Sequence, residues 1–461
     1  MTAKHQVLVD FPGVDRLLSQ SHLISAQSAH YTIHTRVFGA NDSPRLQRKL
    51  EISERDLLKP VEEMFLNDAS ATAALERATI VGKVNNLVSF SSVPETRQHW
   101  ERSAHRSSRS QPEDAVTVDL QELLRNLGAC IAIPLLYGQD FLDRYTDVLD
   151  DFWRFDNDAF PLLMVGVPPW APFKMMREGI LSRSRLSAEM TALYRRIDQY
   201  QKGTSVDFEA DLSDVSAVAL ARNAIYDRDG WTFEERGGLD LVLLWAVNAN
   251  TNPLIFWTIL YIHSTPGLVS TLREEVAPYV DLSDPVAQED YVRLKAINFS
   301  GISSHCTLLK ACVYETYRMA NEATSIRQVT KPVSIVNGGV QQQLKTGTFI
   351  SVPHSINQRD SDHYPDPHKF IPTRFLVEDP DTGSRAARYG KLRPWATGAN
   401  MCKGRTFAER EIMSLTAAII TAWDITPADD AEWTIPDMVP GTGAKKPLSV
   451  VKATFKRRKI E

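Results

Sequence analysis

The chain has 461 residues, 43% of them apolar and 24% charged, with a formal net charge of −5. That composition is the composition of a globular chain and excludes an intrinsically disordered one. The slightly acidic balance supplies no basic field, so no nucleic-acid partner is expected.

In chain order, a strand is expected at residues 6–9. Helical periodicity then predicts helices over roughly 120–155, 174–202, 235–264, 304–320 and 404–423. Between 333 and 352, two β-rich runs flank Asn337-Gly338-Gly339, a hairpin-turn signature. Connectors rich in proline, glycine or charge fall near 101–116, 203–214, 278–290, 361–373 and 378–391. None is flexible enough to mark a boundary, so a single domain over 1–461 is expected. The opening MTAKHQVLVDFPG lacks the apolar core of a signal peptide. The longest apolar stretch, 241–262, is interrupted by Asn248, Asn250, Asn252 and Pro253 and is a poor membrane span. Residues 160–176 read FPLLMVGVPPWAPFKMM, which suits either a buried loop between helices or a loop in peripheral contact with a membrane. The four cysteines, Cys130, Cys306, Cys312 and Cys402, are too scattered for a disulfide framework and form no CxxC pair for zinc. A reducing compartment follows.

Chemistry concentrates near the end. Residues 393–405 read RPWATGANMCKGR, with Cys402 between Gly398 and Gly404 just ahead of a helix. Glycines let backbone approach a bulky partner closely. The helix N-terminus is expected to lower the Cys402 pKa and stabilise a thiolate. A thiolate in a glycine-lined loop suits iron; as a proximal haem ligand it favours O–O cleavage. A buried structural cysteine is the alternative for this segment taken alone. Upstream, Glu315 and Arg318 stand three apart on one helix face, beside Leu308 and Cys312, so a buried pair needing a further partner is expected. Arg374, in the run Phe370 to Phe375, is the third member.

Together, ExxR at Glu315–Arg318, PxRF at Pro372–Phe375 and WxxGxxxCxG at Trp395–Gly404 resemble the ordered signature of the cytochrome P450 family. The resemblance runs from Val7 over nearly the whole chain. It implies a mainly α fold with a small β domain, and haem b (iron protoporphyrin IX) between a distal central helix and the proximal cysteine loop. Cys402 would be the metal ligand, with Trp395, Gly398, Asn400 and Gly404 around the haem and Glu315, Arg318 and Arg374 as a structural triad. Trp395 and Asn400 replace the family's usual Phe and its propionate-binding Arg, so propionate binding is expected to pass to Arg327. Trp100 and Arg102 do not match the family's WxxxR spacing and read as a surface helix.

The central helix carries Ala246-Val-Asn-Ala-Asn-Thr251 where the family pattern is [A/G]Gx[D/E]TT. Ala249 thus replaces the acid and Asn250 the proton-relaying threonine. Pro253 has no N–H, so the Ala249 carbonyl loses its partner and the helix should kink. A polar notch lined by Ala249, Asn250 and Thr251 is expected there, as the catalytic group. The Asn exchange resembles the branch of sterol 7α- and 12α-hydroxylases and prostacyclin synthase. The wording of the cysteine loop is similar to biosynthetic P450s of filamentous fungi.

The resemblance implies a monooxygenase that oxidises a lipophilic small molecule (terpenoid, steroid-like or alkaloid) with O2. Electrons would come from NADPH through a separate cytochrome P450 reductase, in the cytoplasm or at the cytoplasmic face of the endoplasmic reticulum. The branch also holds isomerases and dehydratases that act on peroxides without reductase, and a catalytically silent haem-binding protein is a third reading. Substrate contacts are expected from 85–94, 158–182, 245–253, 323–326 and 439–445. His354, His363 and His368 fit no metal-ligand spacing. Lys391, Arg393, Lys403 and Arg410 form either a docking face for an acidic reductase or a solvated rim. The opening strand resembles the family's second strand, so the membrane anchor, first helix and first strand are expected to be missing, leaving a sheet edge open to strand exchange.

Overall fold

The computed structural model describes residues 5–91, 93–104, 114–283, 291–398, 400–441 and 443–460. Helices dominate it. Where periodicity predicts one helix over 120–155, the chain forms Leu120–Tyr137 and then two short helices, Gln139–Arg144 and Val148–Arg154. The apolar pattern runs straight through the break at Gly138 and hides it. The first of these starts at Asp119, whose Oδ1 accepts the N–H groups of Gln121 and Glu122 at 3.0 and 3.1 Å, an N-cap. Helix Lys174–Gln201 matches its expected span. The central helix is split into Phe233–Asn248, opened by a capping box between Thr232 and Glu235, and Thr251–His263. Helices Thr307–Ala320 and Arg405–Ala422 carry the Glu315 pair and follow Cys402, respectively.

The β structure is small and dispersed. His5–Val7 pairs in parallel with Phe349–Pro353, which pairs antiparallel with Thr324–Val329, followed by Ile24–Ser25. His5–Val7 is the outer strand of that sheet among the described residues. The hairpin Val333–Asn337 and Val340–Leu344 closes on Gly338-Gly339, both at positive φ as a primed two-residue turn requires. Only the first half of 333–352 belongs to it; Phe349–Pro353 leaves for the larger sheet. A second sheet orders Trp423–Pro427, Lys452–Arg457 and Ala115–Asp119.

The two halves of the central helix share Leu120–Tyr137 but differ in their main partners. Thr251–His263, buried on nearly every side, rests on Leu120–Tyr137, Thr307–Ala320 and Arg405–Ala422. Phe233–Asn248 rests chiefly on Lys174–Gln201, with the π-helical turn Ile33–Val37 also against it. At the roof over this half, Phe160 is buried and stacks on Trp245 at 4.6 Å, whereas Val165, Trp170 and Phe173 stand exposed, Trp170 at 80%. Residues 160–176 are thus half core and half surface. Among the described residues, no helix is long and apolar enough to cross a membrane.

Candidate active site

Cys402 sits two residues before the cap of helix Arg405–Ala422. Its N–H donates to the Trp395 carbonyl at 3.1 Å, Met401 N–H to the Gly398 carbonyl at 3.2 Å, and Arg405 Nη1 to the Cys402 carbonyl at 2.9 Å. Gly398 has φ +79°, and a Cβ there would lie 2.2 Å from the Leu18 carbonyl oxygen. No other residue fits that turn without moving Leu18. Asn400 is exposed; Ala399 lies outside the described residues. Cys402 is exposed, yet protein walls its sulfur closely, and that burial pushes the thiol pKa up. The Gly404 N–H, Arg405 and Lys403 pull it down by less. The direction is opposite to the one expected from the helix N-terminus alone, because desolvation of a thiolate outweighs one N–H and two neighbouring cations.

Trp395 is tied on two sides. Its indole N–H donates to the Tyr389 hydroxyl at 2.9 Å, and that hydroxyl donates on to Glu409. The ring meets Tyr317 edge-on at 5.1 Å. Asn321 Nδ2 donates to the Pro394 carbonyl at 2.9 Å, and Thr397 Oγ1 to Asp15 at 3.1 Å. Sequence reasoning missed Asn321 and Asp15, which carry no motif.

Glu315, Arg318 and Arg374 do meet. Arg318 Nε and Nη2 each reach a Glu315 oxygen at 2.7 Å, and Arg374 Nε reaches Oε1 at 3.1 Å. Glu315 and Arg318 are fully buried. Arg318 also binds the carbonyls of Gln358, Pro367 and Lys369, and Arg374 that of Pro365. The triad therefore braces residues 358–375, ahead of the cysteine loop; the loop's own struts are Asn321, Tyr317 and Asp15.

On the central helix, the ladder stops at Ala249 N–H to Trp245 carbonyl, 2.9 Å, and resumes with Leu254 N–H to Asn250 carbonyl, 3.3 Å. Asn250 sits at the break with φ −109° and ψ −51°. The kink expected from Pro253 is present, but its lining differs. Ala249 is 2% and Thr251 8% exposed, while Ala246 is exposed and Asn250 half-buried. Ala246 and Asn250, four apart, share the open face, and Ala249 turns into the core. Asn250 Oδ1 accepts the Ala444 N–H at 3.1 Å. Asn252 Nδ2 donates to Asn248 at 3.0 Å, and its Oδ1, beside Gly128, has no hydrogen-bond partner among the described residues. Above the break, Trp245 Nε1 donates to Asp156 Oδ1 at 2.9 Å, and Lys446 Nζ reaches Asp156 Oδ2 at 3.0 Å and Asn157 Oδ1 at 2.7 Å.

The Cytochrome P450 pattern matches residues 232–450, which contain both halves of the central helix, the triad and Cys402 in their family order. Over that segment the chain is similar to the cytochrome P450 family. A cytochrome P450 monooxygenase of Gibberella zeae is 25% identical over 320 residues, 69% of this chain and 57% of its own length. The monooxygenase efuG of Hormonema carpetanum is 26% identical over 356 residues, 70% and 61% of the two chains. The 5-beta-cholestane-3-alpha,7-alpha-diol 12-alpha-hydroxylase of Sus scrofa is 25% identical over 276 residues, 57% and 53%. The matches span less than two thirds of the length of these relatives.

P450s use haem b, and the side chains here fit it. Arg327 is buried in strand Thr324–Val329, and among the described residues its guanidinium donates only to the adjacent Ile326 carbonyl at 2.7 Å. Burial pulls its pKa down. A buried cation without a counter-charge is costly, and a haem propionate would supply one. Cys402, which is exposed, would supply the iron ligand.

Other expected contacts lie elsewhere. Asn85 clasps the Leu294 backbone through both amide atoms at 2.9 and 3.0 Å, and Phe90 stacks on Trp423 at 6.1 Å. Residues 85–91 thus pack behind the cysteine-loop helix; Ser92 lies outside the described residues, as does Thr442 of 439–445. At the roof, buried Phe38 meets Trp245 edge-on at 6.0 Å. Trp100 is buried, donating to the Leu87 carbonyl at 2.8 Å, in a single turn His99–Glu101 rather than on a surface helix. The three histidines point to separate partners: His354 to Ser325, His363 towards Asp360, His368 to Arg359. Of the basic residues, Lys403 pairs with Glu62 at 2.8 Å, Arg410 with Asp68 at 3.2 Å and Arg393 with Asp15 at 3.5 Å. Lys391 stays exposed.

Proposed function

We propose that this protein is a haem-thiolate monooxygenase acting on a lipophilic small molecule with O2 and electrons from NADPH, delivered by a separate reductase. The observation that carries the reading is the exposed Cys402, with the Gly404 N–H on its sulfur, at the end of the P450 motif series. Haem bound by a thiolate supplies dioxygen activation. The chain does the rest. Cys402 anchors the iron, the Gly404 N–H and Arg405 steady its negative charge, and Arg327 pairs with a propionate. Phe38, Phe160 and Trp245 give an apolar wall that excludes water and favours a terpenoid, steroid-like or alkaloid substrate. The cholestane-diol 12-alpha-hydroxylase among the relatives supports the steroid-like option. Neither Ala249 nor Asn250 carries a titrating proton, and Thr251 is buried, so proton supply at the break falls to water. Val165, Trp170 and Phe173 form an apolar surface suited to peripheral contact with the endoplasmic reticulum membrane.

The test is the carbon monoxide difference spectrum of the reduced protein beside Cys402→Ala, followed by product formation with NADPH and reductase. A thiolate-type Soret band that the variant lacks, and NADPH-dependent product, are expected. A neutral-ligand spectrum would overturn the reading. One observation favours a second reading, a reductase-free peroxide isomerase: an amide, not an acid and threonine, stands at the break. Product from a lipid peroxide without NADPH would establish that reading instead.

A further inference from the structure

We propose that the turn Gly443–Ala444 belongs to the distal site and fixes the Asn250 amide so that only its Nδ2 faces the open side of the helix. Position 250 is then a dedicated hydrogen-bond donor to an acceptor oxygen of a ligand held beside the iron. The inference rests on the haem-binding reading above and adds a positioning pair to it.

Ala444 N–H donates to Asn250 Oδ1 at 3.1 Å. An amide turned the other way would set two N–H donors against each other, so this contact selects one orientation. Gly443 holds the amide from the side: a Cβ there would lie 1.8 Å from Oδ1 and 3.3 Å from Nδ2. The turn cannot easily retreat. Glu322 N–H donates to the Gly443 carbonyl and Lys445 N–H to the Ala320 carbonyl, both at 2.7 Å, and Trp257 Nε1 donates to the Lys445 carbonyl at 2.8 Å. Ala444 itself is 2% exposed. Among the described residues Nδ2 has no protein partner, and it is not enclosed. It lies on the helix face that Ala246 leaves open. The amide's acceptor is occupied and its free atom can only donate. A proton relay needs a group that accepts and donates in turn, which this geometry denies to residue 250.

The probe is carbon monoxide bound to the reduced protein, whose C–O stretching frequency falls when a donor meets its oxygen. Asn250→Ala should raise that frequency with the haem retained. Gly443→Ala should raise it too, although Asn250 is still present, and the double variant should add no further shift. Ala444→Pro, which removes the N–H without adding bulk at 443, should give the same upward shift or split the band, and it serves if Gly443→Ala does not fold. An unchanged frequency in Asn250→Ala overturns the donor role. A shift in Asn250→Ala, with none in a folded Gly443→Ala or Ala444→Pro, overturns the clamp. Absence of any thiolate-type carbon monoxide complex in the parent protein is a different failure: it removes the haem reading, and this proposal with it.

Discussion

Lys446 Nζ lies 3.0 Å from Asp156 Oδ2, a pair 290 residues apart that joins the C-terminal turn to the roof above the central helix. Trp245 donates to the other Asp156 oxygen, so three separate elements close on one carboxylate. Asp156 is almost fully buried. Lys446→Met leaves it without its cation and should cost about 3 kcal/mol, the scale for breaking one side of a buried pair. Denaturant midpoints should show that loss, and the double variant with Asp156→Asn should recover part of it. Equal loss in the single and double variants would mean that the pair contributes through packing alone.

The Glu315 carboxylate balances two guanidinium groups, so its removal is the harsher change. Glu315→Gln keeps the shape and removes the charge that Arg318 and Arg374 share. Arg318 is fully buried, and among the described residues its remaining bonds go to backbone carbonyls and the Met319 sulfur, not to a second carboxylate. A loss of about 3–5 kcal/mol is expected, read as a fall in thermal midpoint together with reduced haem retention. Arg374→Ala should cost less, since that side chain is partly exposed and the bidentate Glu315–Arg318 contact survives it.

What the sequence discloses depends on how local the physics is. Glu315 and Arg318 are one helical turn apart, Pro253 marks its own kink, and the cysteine loop is a contiguous run, so each leaves a pattern within a short window. Lys446 with Asp156 and Ala444 with Asn250 leave none, because neither partner has a fixed offset from the other. The misplacement of 85–94 has the same origin: nothing in Asn85 announces that both its amide atoms are engaged by Leu294. The helix break at Gly138 was hidden because apolar residues continue on both sides. Cys402 shows a subtler limit. Its position was legible, but the direction of its pKa was not, since burial is a property of the fold and not of the loop.

Glu411 makes stability depend on pH. Burial pushes its carboxyl up to about 8, and among the described residues its Oε1 has no partner. Between about 4.5 and 8 the folded state holds a proton that the unfolded state has lost, so stability is full at the acid end and falls as pH rises through that window. His34, His263 and His354, each pulled down to about 4 by burial, work the other way: their contribution is present above 6.5 and is lost as pH falls towards 4. Glu411→Gln should therefore flatten the alkaline limb alone, by up to roughly 1.4 kcal/mol per pH unit. Unfolding titrations from pH 4.5 to 8.5 would show it. An alkaline limb of unchanged slope would place the titrating group elsewhere.

The two glycines around Cys402 should answer substitution differently. At Gly398 an alanine meets both a positive φ of 79° and the Leu18 carbonyl at 2.2 Å, so Gly398→Ala must displace the loop or helix Phe11–Leu18. A fall in thermal midpoint is expected before any ligand is considered. Gly404 has an ordinary φ of −90°, and the nearest atom to an added Cβ is the Cys402 sulfur at 3.9 Å. Gly404→Ala should fold with a nearly unchanged midpoint, because that contact strains nothing in the protein. Its methyl would instead stand beside the sulfur and crowd whatever approaches it, so the loss should appear as lower haem content after reconstitution. A Gly404→Ala protein with full haem content would show that approach to the sulfur comes from the other side. A Gly398→Ala protein of unchanged stability would show that the loop tolerates a shift away from Leu18.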